Sequence, residues 1–256
     1  MRIAGFPAIA AEPRGAPRGL AVFLHGAFGE HTAFQAMIDR FAAAGYRAIA
    51  FARRGRCGLP PEGAAGLTVA DYLDDVRAVL GELGEKPVLI GHSLGGLLAQ
   101  HMAAEERCRA LVLLASAPPG VLTAQLRALP SLAPSMPRIL AGLPFRPSDA
   151  AIRRVALRHV APSELPRILG TLGRESGRVY RAMILGTARP RVDAVRCPVL
   201  AVGGDDDWVV SRALLAGTAR AYRAELSLIP GGGHWLPEEP TASETILSWL
   251  GSSLPR

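Results

Sequence analysis

Over the first half of the chain, short and almost wholly apolar runs alternate with segments of helical period. "GLAVFLHG" (Gly19–Gly26) is followed by "AFQAMIDRFAAAGY" (Ala33–Tyr46), in which Phe34, Met37, Ile38 and Phe41 recur at helical spacing. "RAIAFA" from Arg47 precedes "TVADYLDDVRAVLGEL" from Thr68, where Val69, Tyr72, Leu73, Val76, Val79 and Leu80 form one stripe and Thr68 is placed to cap the helix. "PVLIGHS" from Pro87, "LGGLLAQHMAAE" from Leu94 and "RALVLLASA" from Arg109 repeat the pattern. A strand that is apolar at every position, not at alternate ones, has to be covered on both faces. That is the condition of a parallel sheet between two helical layers, so the expected class is α/β with a mostly parallel sheet and helices on both faces.

From Pro118 to Arg191 the rhythm changes. Helical pieces ("VLTAQLRAL", "SDAAIRRVALRHV", "SELPRILGTL", "GRVYRAMIL") succeed one another with no clear strand, separated by proline-rich breaks such as "PSLAPSMP". The sheet pattern resumes with "CPVLAVGG" from Cys197, a helix near Ser211–Ala221, a strand "AELSLIP" from Ala224 and a last helix from about Thr241 to Leu250. The chain therefore reads as one α/β domain with a helical insertion. Residues 1–117 and 192–256 are the two parts of the core, and 118–191 the insertion; there is no internal repeat.

The balance of 49% apolar and 20% charged residues excludes a disordered chain, and glycine and proline, though frequent, are dispersed. A net charge of +7 raises nucleic acid as a partner, but of 29 basic residues only Lys86 is lysine and the arginines are scattered. The densest group, "ARRGRC" (Ala52–Cys57), has no interleaved aromatics, so no nucleic-acid partner is expected. Cys57, Cys108 and Cys197 are too few and too far apart for a disulfide framework or a zinc site, although one disulfide stays open. No apolar run is long enough for a membrane span and the amino terminus does not read as a signal peptide, so the expected location is cytoplasmic.

"LIGHSLGG" (Leu89–Gly96) puts a serine between two glycines after a strand and before a helix. Ser93 can simply cap that helix. In Gly-x-Ser-x-Gly the small residues also allow a sharp turn on which a hydroxyl projects as a nucleophile. A second piece, "LHGAF", ends the first strong strand. A parallel sheet gathers such ends on one edge, so the amides of Ala27 and Leu94 are candidate oxyanion donors.

A serine needs a base. His101 and His159 read as structural or surface residues within helices, His31 as lining the mouth at most, and His25 as organising its own turn. His234, in "IPGGGHWLPEE", follows a strand through three glycines and can be carried over the sheet edge. "AVGGDDDWVV" places Asp205, Asp206 and Asp207 beyond another strand, without the alternation of a calcium loop. The chain order serine, aspartate, histidine is that of α/β-hydrolases.

With these segments in this order and spacing ("LHGAF", "RAIAFARRGRCG", "VLIGHSLGG", "CPVLAVGGDDDWVV", "LIPGGGHW"), the sequence resembles the α/β-hydrolase superfamily, in its helical-cap branch. The family's Gly-x-x-Asp-x-x-Val, matched to Gly204–Val210, selects Asp207, with Asp206 the alternative. The resemblance also assigns the oxyanion position to Ala27 and makes Pro118–Arg191 a cap over the site. "FARRGRCGL" departs from the family's Tyr-Asp-Arg-Arg-Gly-x-Gly-x-Ser-like loop. Cys57 there reads as a small buried hydrophobe or as a residue of the pocket entrance.

The implied function is a serine hydrolase that cleaves a carboxylic ester or related acyl bond of a small to medium, largely apolar substrate through an acyl-enzyme. Ser93 is its nucleophile, His234 its base and acid, and Asp207 the carboxylate that orients the imidazole. Cap residues Leu122, Leu126, Leu129, Leu132, Met136, Ile139, Leu140, Leu143 and Phe145 either face an apolar substrate or only pack the cap. No cofactor or metal is expected, since "LHGAFGEH" lacks a dinucleotide-binding turn. A perhydrolase resembling cofactor-free haloperoxidases, an acyl transferase and a non-catalytic ligand-binding member remain alternatives.

Overall fold

The computed structural model describes residues 1–123 and 125–254. Eight strands, β1 (Arg2–Ile3), β2 (Phe6–Ala11), β3 (Leu20–Leu24), β4 (Arg47–Phe51), β5 (Val88–His92), β6 (Ala110–Leu114), β7 (Val199–Gly204) and β8 (Glu225–Ile229), form one sheet in the order β1-β2-β4-β3-β5-β6-β7-β8. From β4 to β8 every pairing is parallel. Among the described strands the antiparallel pairings are β1 with β2 and β2 with β4, the latter from Ala8↔Phe51 to Ala11↔Ala48. The alternation of side chains along each strand splits the core in two. Val22 and Leu24 of β3 join the cluster under α2 (Val69–Leu83) and α3 (Leu94–Ala104), whereas Ala21 and Phe23 join the cluster under α1 (Gln35–Ala43). Thr68 caps α2 in a reciprocal box with Asp71, and Gly84 ends it at φ +71°.

No strand is expected before Gly19, yet β1 and β2 are there. β1 has two residues, half of β2 is alanine and it includes a proline, and β2 is half-buried at nearly every position, so it carries no alternation to read. Its place at the sheet margin tolerates Pro7, whose carbonyl still accepts from Ala52 N.

Between β6 and β7 the chain makes the helical insertion: α4 (Leu129–Leu132), α5 (Met136–Leu140), α6 (Asp149–Val155), α7 (Leu165–Thr171) and α8 (Gly177–Ile184). Two stretches differ from the expectation. "PSLAPSMP" is not a break but a run of short helical turns, each with proline in its first two positions, where the missing N–H has no intrahelical role. "VLTAQLRAL" is largely non-helical, with a 3-10 turn at Leu126–Ala128; Ala124 within it lies outside the described residues. There the segment is tied to other partners, the backbone Leu122 N donating to Met183 O and the side-chain Nε2 of Gln125 donating to Asp207 O. Helix α6 stops at Val155, so His159 lies beyond its end.

After β7, α9 (Arg212–Tyr222) and α10 (Pro240–Ser253) complete the two layers. Among the described residues no helix is long and apolar enough to cross a membrane. The three cysteines are free thiols, with Cys108 Sγ 3.8 Å from Cys197 Sγ.

Candidate active site

The carboxyl ends of β3, β5 and β7 and the loop after β8 meet at one rim of the sheet. Strand β5 passes into α3 with Ser93 alone between them, at φ +53° and ψ −118°. That is a strained conformation for a residue with a side chain. The turn closes only because its neighbours are glycine: a Cβ on Gly91 would overlap the Gly95 carbonyl, and one on Gly95 would overlap Leu24 O. The Ser93 carbonyl accepts from Gly96 N and Ala117 N, so the backbone is pinned while the hydroxyl is left to project.

Ser93 Oγ lies 3.1 Å from His234 Nε2, and His234 Nδ1 lies 2.8 Å from Asp207 Oδ2. The other oxygen of Asp207 accepts from Val209 N at 2.6 Å and Val210 N at 3.0 Å. A carboxylate fixed in this way makes Nδ1 the protonated nitrogen and leaves Nε2 to accept from the serine hydroxyl.

Asp206 is not in that chain. It faces outward into a cap-to-core cluster, bound by Arg158, by Arg127 Nη1 at 3.2 Å, by His159 Nε2 at 3.2 Å and by Trp208 Nε1 at 3.0 Å. The guanidinium carbons of Arg127 and Arg158 stand 4.5 and 4.2 Å from the centre of the Trp208 ring.

Ala27 borders the same cavity as Ser93. Leu94 opens α3, so its N–H is one of the donors that a helix start leaves without an intrahelical acceptor. His25 is buried. Its Nδ1–H donates to Gly26 O at 3.0 Å and its Nε2 accepts from Arg53 N at 3.4 Å. Burial, then Arg53 and Arg56, hold its pKa well below that of a free imidazole, so it is neutral.

Sequence reasoning passed over His92, the variable residue inside Gly-x-Ser-x-Gly. It is buried, donates from Nε2 to His234 O at 2.8 Å, and packs its ring 4.9 Å from that of His234. Burial, and secondarily His234, push its pKa down to about 3. The only available signal was its place at the end of a buried strand.

The loop "ARRGRC" turns its charge inward. Arg54 pairs with buried Asp75, Arg56 with buried Glu175 at 2.9 Å, and Arg53 is 1% exposed. Cys57, by contrast, is exposed at φ +49°, which corrects the expectation of a small buried hydrophobe. Neither Cys57 nor His31 lines the cavity.

That cavity, of about 70 Å³, is bordered by Phe28, Leu132, Ile152, Val155, Leu172 and Trp235 among others, and among the described residues no charged side chain lines it. Of the nine apolar cap residues named from the sequence only Leu132 reaches it. Ile139 and Phe145 are buried within the protein, and Leu126, Leu129, Leu140 and Leu143 face solvent. A larger open cleft of about 760 Å³ shares Ala156 and Trp235 with the cavity but does not include Ser93. Among the described residues no group of three or more His, Cys, Asp or Glu is placed to hold a metal ion.

Residues 21–243 match the model of the alpha/beta hydrolase family. The chain belongs to that family. A curated relative, the protein named carbamate hydrolase RutD of Variovorax paradoxus, is 35% identical over 100 residues. The match spans 38% of this hydrolase and 38% of that protein. Among solved structures, the monoacylglycerol lipase of Paleococcus ferrophilus superposes with a TM-score of 0.76 at 21% identity, over 97% of this chain and 99% of that one. The enol-lactonase of Burkholderia xenovorans gives 0.75 at 17% identity, over 96% of each chain.

Proposed function

We propose that this α/β hydrolase is a serine hydrolase that cleaves a carboxylic ester of a small, largely apolar substrate, with residues 118–191 as the cap that closes its site. The observation that carries the reading is the unbroken chain from Ser93 Oγ through His234 to Asp207, buried beside an uncharged cavity. In this reaction Ser93 Oγ attacks the acyl carbon as His234 Nε2 takes its proton, and Asp207 stabilises the imidazolium through Nδ1–H. The amides of Ala27 and Leu94 receive the oxyanion of the tetrahedral intermediate. His234 returns the proton to the leaving alcohol, and a water activated by the same imidazole releases the acid from Ser93.

Support also comes from the names of the compared proteins, since lipase, lactonase and carbamate hydrolase all denote cleavage at an acyl carbon. The small volume of the cavity, about 70 Å³, and its apolar walls favour a short acyl chain. The test is a screen of acyl esters, lactones, thioesters, amides and carbamates against the purified protein and its Ser93→Ala variant. Ester turnover is expected, with a loss of about a thousandfold or more in the variant. Wild-type turnover by Ser93→Ala would refute the mechanism.

A further inference from the structure

The turn that carries Ala27 is tied from behind at two successive carbonyls, those of His25 and Gly26. Gly26 O accepts from His25 Nδ1 at 3.0 Å and from Arg53 Nη2 at 3.3 Å, and His25 O accepts from Arg53 Nη1 at 2.5 Å. In a planar trans peptide the N–H points opposite to the C=O. Holding Gly26 O toward Arg53 therefore aims the Ala27 N–H the other way, toward the cavity that Ala27 shares with Ser93. Phe28 follows at φ +64°, a value that bulky residues avoid. Two cap residues hold it there: Phe28 N donates to Glu175 Oε2 at 3.4 Å, and Phe28 O accepts from Gly173 N at 2.8 Å.

Glu175 is itself wholly buried and saturated. It takes the Tyr72 hydroxyl at 2.6 Å, Arg56 at 2.9 Å and Ser176 N at 2.8 Å. The ring of Tyr72 lies 4.9 Å under the Arg53 guanidinium. Arg53 donates to carbonyls, not to a carboxylate, and its Nε is buried without a partner.

We propose that Arg53 and the cap residue Glu175 are positioning residues for the oxyanion site: together they aim the Ala27 amide and make its geometry depend on the seated cap. This rests on the serine-hydrolase reading. A residue that only supported the fold would change stability without discriminating between ground state and transition state. A positioning residue weakens the transition state alone.

The experiment compares Arg53→Lys, Glu175→Gln and Tyr72→Phe in the full chain. It measures thermal midpoint, kcat and KM on the best ester from the screen, and inhibition by a boronic acid that mimics the tetrahedral adduct. In folded Arg53→Lys and Glu175→Gln, kcat and boronate affinity are expected to fall together by about ten- to a hundredfold, less than the full loss of an oxyanion donor. KM should stay within about threefold, and Tyr72→Phe should follow the same pattern at smaller size. If Arg53→Lys does not fold, the other two variants decide. Unchanged kcat in folded Glu175→Gln, or a rise in KM with boronate affinity intact, overturns the proposal. Ser93→Ala in the same assays keeps the two questions apart. Ester activity that survives there defeats the serine-hydrolase reading, whereas Ser93-dependent activity indifferent to Glu175→Gln defeats only the positioning role.

Discussion

Two adjacent aspartates have opposite surroundings, and their substitution should separate accordingly. Asp207→Asn retains the shape of the hydrogen bond to His234 but favours the wrong tautomer; a fall in kcat of about 10⁴ is expected. Asp206→Asn loses surface ion pairs, each worth at most about 1 kcal/mol, and should change kcat by less than about tenfold. Steady-state kinetics on both variants checks the pair. His92 makes a second prediction, about acid stability. Its folded pKa of about 3 lies below that of an unfolded imidazole, so the unfolded chain binds one more proton between those values. Stability is then lost as pH falls from about 6.5 toward 3, at up to about 1.4 kcal/mol per pH unit from this group. Buried His25, also depressed, adds in the same direction. Denaturant melts at pH 7 and pH 5 should show the loss, and His92→Gln, which can still donate to His234 O, should reduce it. Ser93 and His234 were legible because glycine-rich turns after strands are local signals, whereas Asp207 was singled out from three adjacent aspartates only by the family's pattern; the structure brings the three side chains together. His92 and Arg53 were not legible, because their partners, His234 O for one and the backbone of 25 and 26 for the other, are supplied by distant segments.

At the scale of elements, the sheet and its helices were readable from periodicity, whereas the lining of the cavity was not. Spacing shows that a cap helix has an apolar side but not which way that side faces. The cap's share of the wall comes mostly from α6 and the two residues after it (Ala151, Ile152, Val155, Ala156 and Leu157), and of the leucines before residue 145 only Leu132 contributes. Leu172→Ala should therefore enlarge the cavity and move the preferred acyl chain toward longer esters; because Leu172 is only partly buried, the stability cost should fall below the roughly 2–5 kcal/mol of a fully buried leucine. Leu140→Ala, on the solvent face, should leave the profile unmoved. A series of esters of increasing chain length against the two variants makes the comparison.

Across the whole molecule the main omission from the sequence reading was the amino-terminal pair β1–β2. It covers the open side of β4, a strand buried at Ala48, Ile49, Ala50 and Phe51. Removal of residues 1–11 would leave an apolar edge with unpaired backbone groups. A lower thermal midpoint and concentration-dependent aggregation by light scattering are the expected results. The net charge misleads at this scale too, since Arg53 and Arg56 are enclosed and Arg54 is paired with buried Asp75. Trp208 is the opposite case, an indole on the core packed against two guanidinium groups that both belong to the cap. If the cap swings aside to admit a molecule, those cations leave the ring and water replaces them. With Trp235 and Trp249 changed to phenylalanine, the emission spectrum of the remaining fluorophore would record each opening, giving the enzyme an intrinsic optical gauge of how often its door stands ajar.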